Sequence, residues 1–237
     1  MRTATRGHSL RRAAYLTAAV GALYAVLFLV SLWLISSEPG PKASDAELEA
    51  FYQSDAPRRL ILVGLYVMPF AGMAFIWFTV ALRMWMRGSS RREDLLLSNV
   101  QFVSGILFVA LLFASAGAAA ATAASVEFTS APVDAVVARQ LPSMSNTLLF
   151  VFAMRMAAMF AFTTSNIGRN AGILPAWFVL IGFAVGLFLL LSATFSQFLV
   201  LVFPAWVLAL SAILFLRARR IPADAVIQQS EPAAPPV

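Results

Sequence analysis

Apolar positions fall into six long blocks, residues 13–35, 60–82, 95–124, 146–166, 174–191 and 198–216, each bounded by short polar segments. About 20 consecutive apolar residues suffice to cross the hydrocarbon core of a bilayer as a helix. The pattern therefore predicts an all-α protein, a polytopic transmembrane helical bundle of six spans. The first block, residues 13–35, exceeds the roughly 7–15-residue apolar core of a cleavable signal peptide, so it reads as a retained span. Residues 13–217 then form the transmembrane domain. Residues 1–12 are expected to be a cytoplasmic tail, and residues 218–237, rich in proline and poor in apolar side chains, a disordered cytoplasmic tail.

The two longest polar segments predict short surface helices in the outer loops. Ser44-Asp45-Ala46-Glu47 has the form of a capping box, and Leu48, Phe51 and Tyr52 follow at helical spacing. This helix is expected to lie on the membrane and to end at Pro57. It reads either as a lid over the span ends or as an acidic docking surface. In residues 125–145, Val133, Val136, Val137 and Leu141 suit one face of a second surface helix.

Within the spans three features stand out. Pro69 interrupts span two and denies a helical donor to the carbonyl of Leu65, four residues earlier. The second half of span three, residues 114–121, is almost wholly small and lets neighbouring backbones approach closely. Gly182 and Gly186 form a G-x-x-x-G pair in span five, a seat for another helix of the chain or for a second copy. Sliding the chain by 86 residues also lays Met68, Ala71, Met73 and Arg83 on Met154, Ala157, Met159 and Arg169, which suggests hairpins repeated in tandem.

Composition agrees: 61% of residues are hydrophobic and 12% charged, against about 45–50% and 25% in soluble domains. The net charge of +6 is no nucleic-acid signal, because the basic residues sit at span ends and form no long run. Placing both termini in the cytoplasm puts twelve of the seventeen basic residues inside and four in the outer loops. The positive-inside rule thus gives a multi-pass protein of the bacterial inner membrane, N-in and C-in. Sixteen arginines against one lysine, with many alanines, point to a GC-rich bacterial coding bias.

The seventeenth basic residue is Arg155, a permanent charge in the middle of span four. Such a residue costs about 2.5–3.5 kcal/mol on insertion scales and calls for partners. It lies nine residues beyond Asn146, roughly 14 Å deep at 1.5 Å per residue. The expected acceptors are Glu127, dipping inward from the end of span three, the carbonyl freed by Pro69, and the side chains of Tyr66 and Ser104. Arg155 then either welds spans together or, with Tyr66 and Glu127, binds an anionic ligand or lipid headgroup. A proton pathway is disfavoured, since the spans hold no Asp or Glu.

Enzymatic constellations are missing. The chain has no cysteine, and its one histidine, His8, lies in the N-terminal tail, so no thiolate, Ser-His or histidine-clustered metal chemistry is available. Neither G-x-x-x-x-G-K nor G-x-G-x-x-G occurs. No metal or cofactor is expected.

Residues 51–59 (FYQSDAPRR), 154–159 (MRMAAM), 172–177 (GILPAW) and 203–206 (FPAW) resemble a group of uncharacterised six-span integral membrane proteins of actinobacteria and related bacteria. The resemblance covers residues 12–217 and implies a six-helix fold in the cell membrane, with no activity or site to carry over. Two functions remain. One is a non-enzymatic module that packs with or regulates another envelope protein. The other is a small carrier or lipid-binding protein with a cavity around Arg155. The expected partners are membrane lipids, another membrane protein, or a second copy through Gly182 and Gly186.

Overall fold

The computed structural model describes residues 4–35, 43–89, 95–130, 132–192 and 197–219. Among them there is no strand, and the chain is an all-α helical bundle. The first helix, α1 (Ala4–Ile35), begins within the expected N-terminal tail, eight residues before its end at residue 12. The surface helix α2 (Asp45–Gln53) leads to α3 (Pro57–Leu62), a π segment (Val63–Val67) and α4 (Met68–Ser89), which together form span two. Span three is α5 (Leu95–Thr129). Then come α6 (Ala135–Asn146), a second π segment (Thr147–Ala153) and α7 (Met154–Asn170), followed by α8 (Ala176–Leu191) and α9 (Gln197–Arg219).

Five of these stretches are long and apolar enough to cross a membrane: Ala14–Leu34, Pro57–Met86, Leu95–Thr129, Ala135–Asn170 and Phe198–Arg217. The expected fifth span, α8, has 16 residues, about 24 Å, which is short of the ~30 Å hydrocarbon thickness. The turn at residues 193–196, the basic residues Arg91 and Arg92, and the C-terminal tail from residue 220 lie outside the described residues.

The long helices and α8 pack as a ring in chain order: α1 against α4, α4 against α5, α5 against α7, α7 against α8, α8 against α9, and α9 back against α1. Aromatic rings fill the centre. Phe75 of α4 meets Tyr24 of α1 at 4.8 Å, Phe108 of α5 at 5.0 Å, Phe160 of α7 at 5.1 Å and Phe203 of α9 at 5.6 Å between centroids. All five rings are fully buried, and the tilted and edge-on arrangements are those that aromatic quadrupoles favour. Packing of this kind, rather than the hydrophobic effect, is what holds helices together in lipid.

Close contacts elsewhere depend on small residues. At Gly64, in the first π segment, a Cβ would lie 2.5 Å from the Ala120 Cβ and 2.8 Å from the Ala116 carbonyl, so the small-residue half of α5 seats span two. Gly182 abuts Ser165 and Gly186 abuts Phe162, both on α7. That G-x-x-x-G seat is therefore occupied from within the chain. At Gly172 the backbone takes φ +65°, which lets the chain leave α7; Ile173 and Leu174 both donate to the Gly168 carbonyl.

The outer loops follow the sequence in part. Ser44 and Glu47 form the capping box, and Leu48 and Tyr52 of α2 bury against Leu60, Ile61, Ala123 and Ala138. Pro57 does not end this helix. α2 stops at Gln53, and Pro57 opens α3 at the first-turn position where its missing N–H costs nothing. The second surface helix also differs. Val136 and Val137 are exposed, and the inward face of α6 is Ala138 and Ser145. Moreover α6 runs without a break into span four, so the two are one helix of 36 residues. Arg139 joins the two surface helices, donating to the Ala43 carbonyl at 2.9 Å and pairing with Asp45.

Candidate functional site

Arg155 is the second residue of α7, just after the second π segment. Its Nη1 donates to the Val151 carbonyl at 2.8 Å, one turn back on its own helix. Among the described residues that is its one hydrogen bond, and no carboxylate lies within salt-bridge distance. The side chain is half-buried. Phe152 and Met159, three residues before it and four after, share its helix face and are exposed. Next to this face a shallow apolar groove of about 340 Å³ runs between α5 and α7, lined by Asn99, Val100, Val103, Ser104, Leu107, Met156 and Met159.

Two of the expected partners of Arg155, Glu127 and Ser104, are engaged elsewhere. Glu127 pairs with Arg58 Nε at 3.4 Å, so it ties the outer end of α5 to the start of span two and does not dip inward. Both side chains are well exposed, 66% and 44%, so the pair avoids most of the desolvation cost of a buried one. Tyr66 is 55% exposed, and the hydrogen bond described for Arg155 goes to Val151 instead. The Ser104 hydroxyl donates to the Gln101 carbonyl of its own helix. Among the described residues none of these three side chains hydrogen-bonds to the guanidinium.

What does join α5 to α7 is a polar stripe that sequence reasoning passed over. Gln101, 1% exposed, donates from Nε2 to the Thr164 hydroxyl at 2.7 Å, and Thr164 is itself fully buried. The signal was present: Ser98, Gln101 and Ser104 recur every three residues, one face of a helix. Near the start of α5, Arg83 Nη2 of α4 donates to Asn99 Oδ1 at 2.7 Å, and its guanidinium lies 5.2 Å from the Phe102 ring centroid. Further along α5 the Ser115 hydroxyl meets the Ser145 carbonyl and hydroxyl of α6, both at 3.0 Å.

That serine pair borders a partly enclosed cavity of about 90 Å³. Both π segments line it, through Val63 and Gly64 on one side and Leu149 and Phe150 on the other. π turns widen a helix and recur at functional sites. The offset of 86 residues seen in the sequence carries the first π segment onto the last five residues of the second. The two spans therefore share an irregularity as well as a loose sequence match. Arg155 does not line this cavity. Among the described residues no group of three or more His, Cys, Asp or Glu side chains comes together.

Helix length, apolarity and the ring of packed helices define a multi-pass membrane protein. No protein-family model, no curated protein and no solved structure matches the chain.

Proposed function

We propose that this protein is a non-enzymatic module of the bacterial cell membrane that packs against another envelope protein through the outward face of α5 and α7. Its likeness to uncharacterised six-span actinobacterial proteins fits this reading. In it α8 crosses as the sixth span, drawn through by its packing on α7, and both termini lie in the cytoplasm, as the positive-inside count favours.

The observation that carries the reading is Arg155. A guanidinium in a span that uses one donor, on its own helix, and shows itself on an exposed apolar face is a group awaiting a partner from outside the chain. The bundle centre, by contrast, is filled by rings and offers no polar path. The carrier alternative needs a cavity around Arg155, and the enclosed space lies instead between the π segments. Enzymatic readings lack a nucleophile–base pair, since no cysteine exists and the one histidine is in the tail.

The test is site-specific photo-crosslinking in native membranes. A crosslinker replacing Leu107, in the α5/α7 groove, is expected to give a discrete protein adduct. One replacing Leu23, exposed on α1 across the ring, is expected to give none. Identical lipid-only products at both positions would refute the module.

A further inference from the structure

Deepening the module reading, and resting on it, we propose that the docked partner is a different membrane protein whose span presents an Asp or Glu carboxylate level with Arg155. The guanidinium has five donors in a planar fork, and four of them are unused among the described residues. A carboxylate is the acceptor that matches two of them at once. The surface around it suits a partner helix rather than water: Phe152 is 51% exposed, Leu107 45% and Val103 53%, and the adjoining groove is apolar along its length.

Charge complementarity excludes a second copy as the occupant. All eleven acidic residues of this chain lie outside the cores of its spans. Those described are already engaged: Asp45 with Arg139, Glu47 with Ser44, Glu49 with Gln53, Asp55 and Glu127 with Arg58, and Asp134 with the first amides of α6. A copy of the chain has no carboxylate to bring to that depth. Lipid phosphate fits poorly too. Among the described residues no second cation lines the adjoining groove, so a phosphate would meet this one guanidinium alone.

The protein's lack of cysteine makes the test direct. A fluorophore on a Leu180→Cys variant of the full chain, exposed on α8 and outside the groove, reports energy transfer from a single-span oligoleucine peptide reconstituted with it in phosphatidylcholine bilayers. A peptide with one central Asp is expected to associate roughly tenfold more tightly than the all-leucine peptide. Arg155→Leu is expected to abolish that preference, while Arg155→Lys keeps part of it. Equal association of the two peptides, or a preference that survives Arg155→Leu, overturns the proposal. So does retention of phosphatidylglycerol through Arg155 with no preference for the Asp peptide, which would make the occupant a lipid. The module reading fails separately. A native crosslink at Leu107 that is indifferent to Arg155→Leu refutes the carboxylate alone, and absence of any protein crosslink refutes the module.

Discussion

Arg155 and Pro69 occupy the same place in two spans: each is the second residue of the α-helix that resumes after a π segment. They also lie 86 residues apart, the offset that aligns the two spans. Proline there denies the carbonyl of Leu65, four residues earlier, its N–H donor. Arginine at the equivalent place supplies a side-chain donor to the equivalent carbonyl, that of Val151, at 2.8 Å. In one span the irregularity comes from a missing donor. In the other an added donor steadies it, and the rest of the guanidinium is left free.

It follows that Arg155→Leu should leave the isolated bundle folded. The residue makes no described contact with another span, so thermal unfolding in detergent is expected to be unchanged within about 0.5 kcal/mol. Insertion of span four into a bilayer should improve by about 2.5–3.5 kcal/mol, measured by a glycosylation-mapping assay. A variant that fails to fold would restore the idea that Arg155 welds the spans.

Two glycines make a matched pair. A Cβ at Gly64 would press on the Ala120 Cβ and the Ala116 backbone, whereas one at Gly117 meets nothing within 4 Å. Gly64→Ala is expected to destabilise the bundle by about 1–3 kcal/mol, because α5 and span two must part. Gly117→Ala should be neutral or stabilising by up to about 1 kcal/mol, the gain in helix propensity. Thermal denaturation of the two variants side by side decides it.

The spans were legible because lipid leaves the sequence little freedom: an element that crosses must satisfy its backbone internally and stay apolar for about 20 residues. The cap at Ser44 and the turn at Gly172 were legible for similarly local reasons. Which face of a span looks inward was not. Span helices are apolar almost all round, so periodicity could not say that Met154 and Ala158 bury fully while Arg155 stays half-exposed. Glu127 was assigned to Arg155 because both lay at plausible depth, but Arg58 stands nearer. Gln101 escaped notice as a single uncharged amide in a long apolar run, although it makes the buried side-chain link between α5 and α7.

That link can be measured by a double-mutant cycle. Gln101→Leu and Thr164→Val each remove one partner of the 2.7 Å bond, and each is expected to destabilise the bundle. The coupling energy should be about 0.6 kcal/mol, and no more than about 1.7, the range found for hydrogen bonds between membrane helices. A coupling near zero would mean that the amide finds another acceptor once Thr164 is gone.

The capping box of α2 should make that helix sensitive to acid. The Ser44 backbone N–H donates to Glu47 Oε2 at 2.7 Å and the Ser44 hydroxyl at 3.0 Å. These bonds, the backbone one foremost, hold the Glu47 carboxyl below its ordinary value of 4.5. A folded-state pKa below the unfolded one means the stabilisation is complete above the ordinary value. It is lost as pH falls below 4.5 and through the lowered folded value. Hydrogen exchange of the α2 amides, corrected for intrinsic rates, is therefore expected to quicken in that window. Glu47→Gln keeps an acceptor in the box but has no proton to gain, so its exchange should be flat over the same range. Acid sensitivity that persists unchanged in Glu47→Gln would refute the assignment to the capping box.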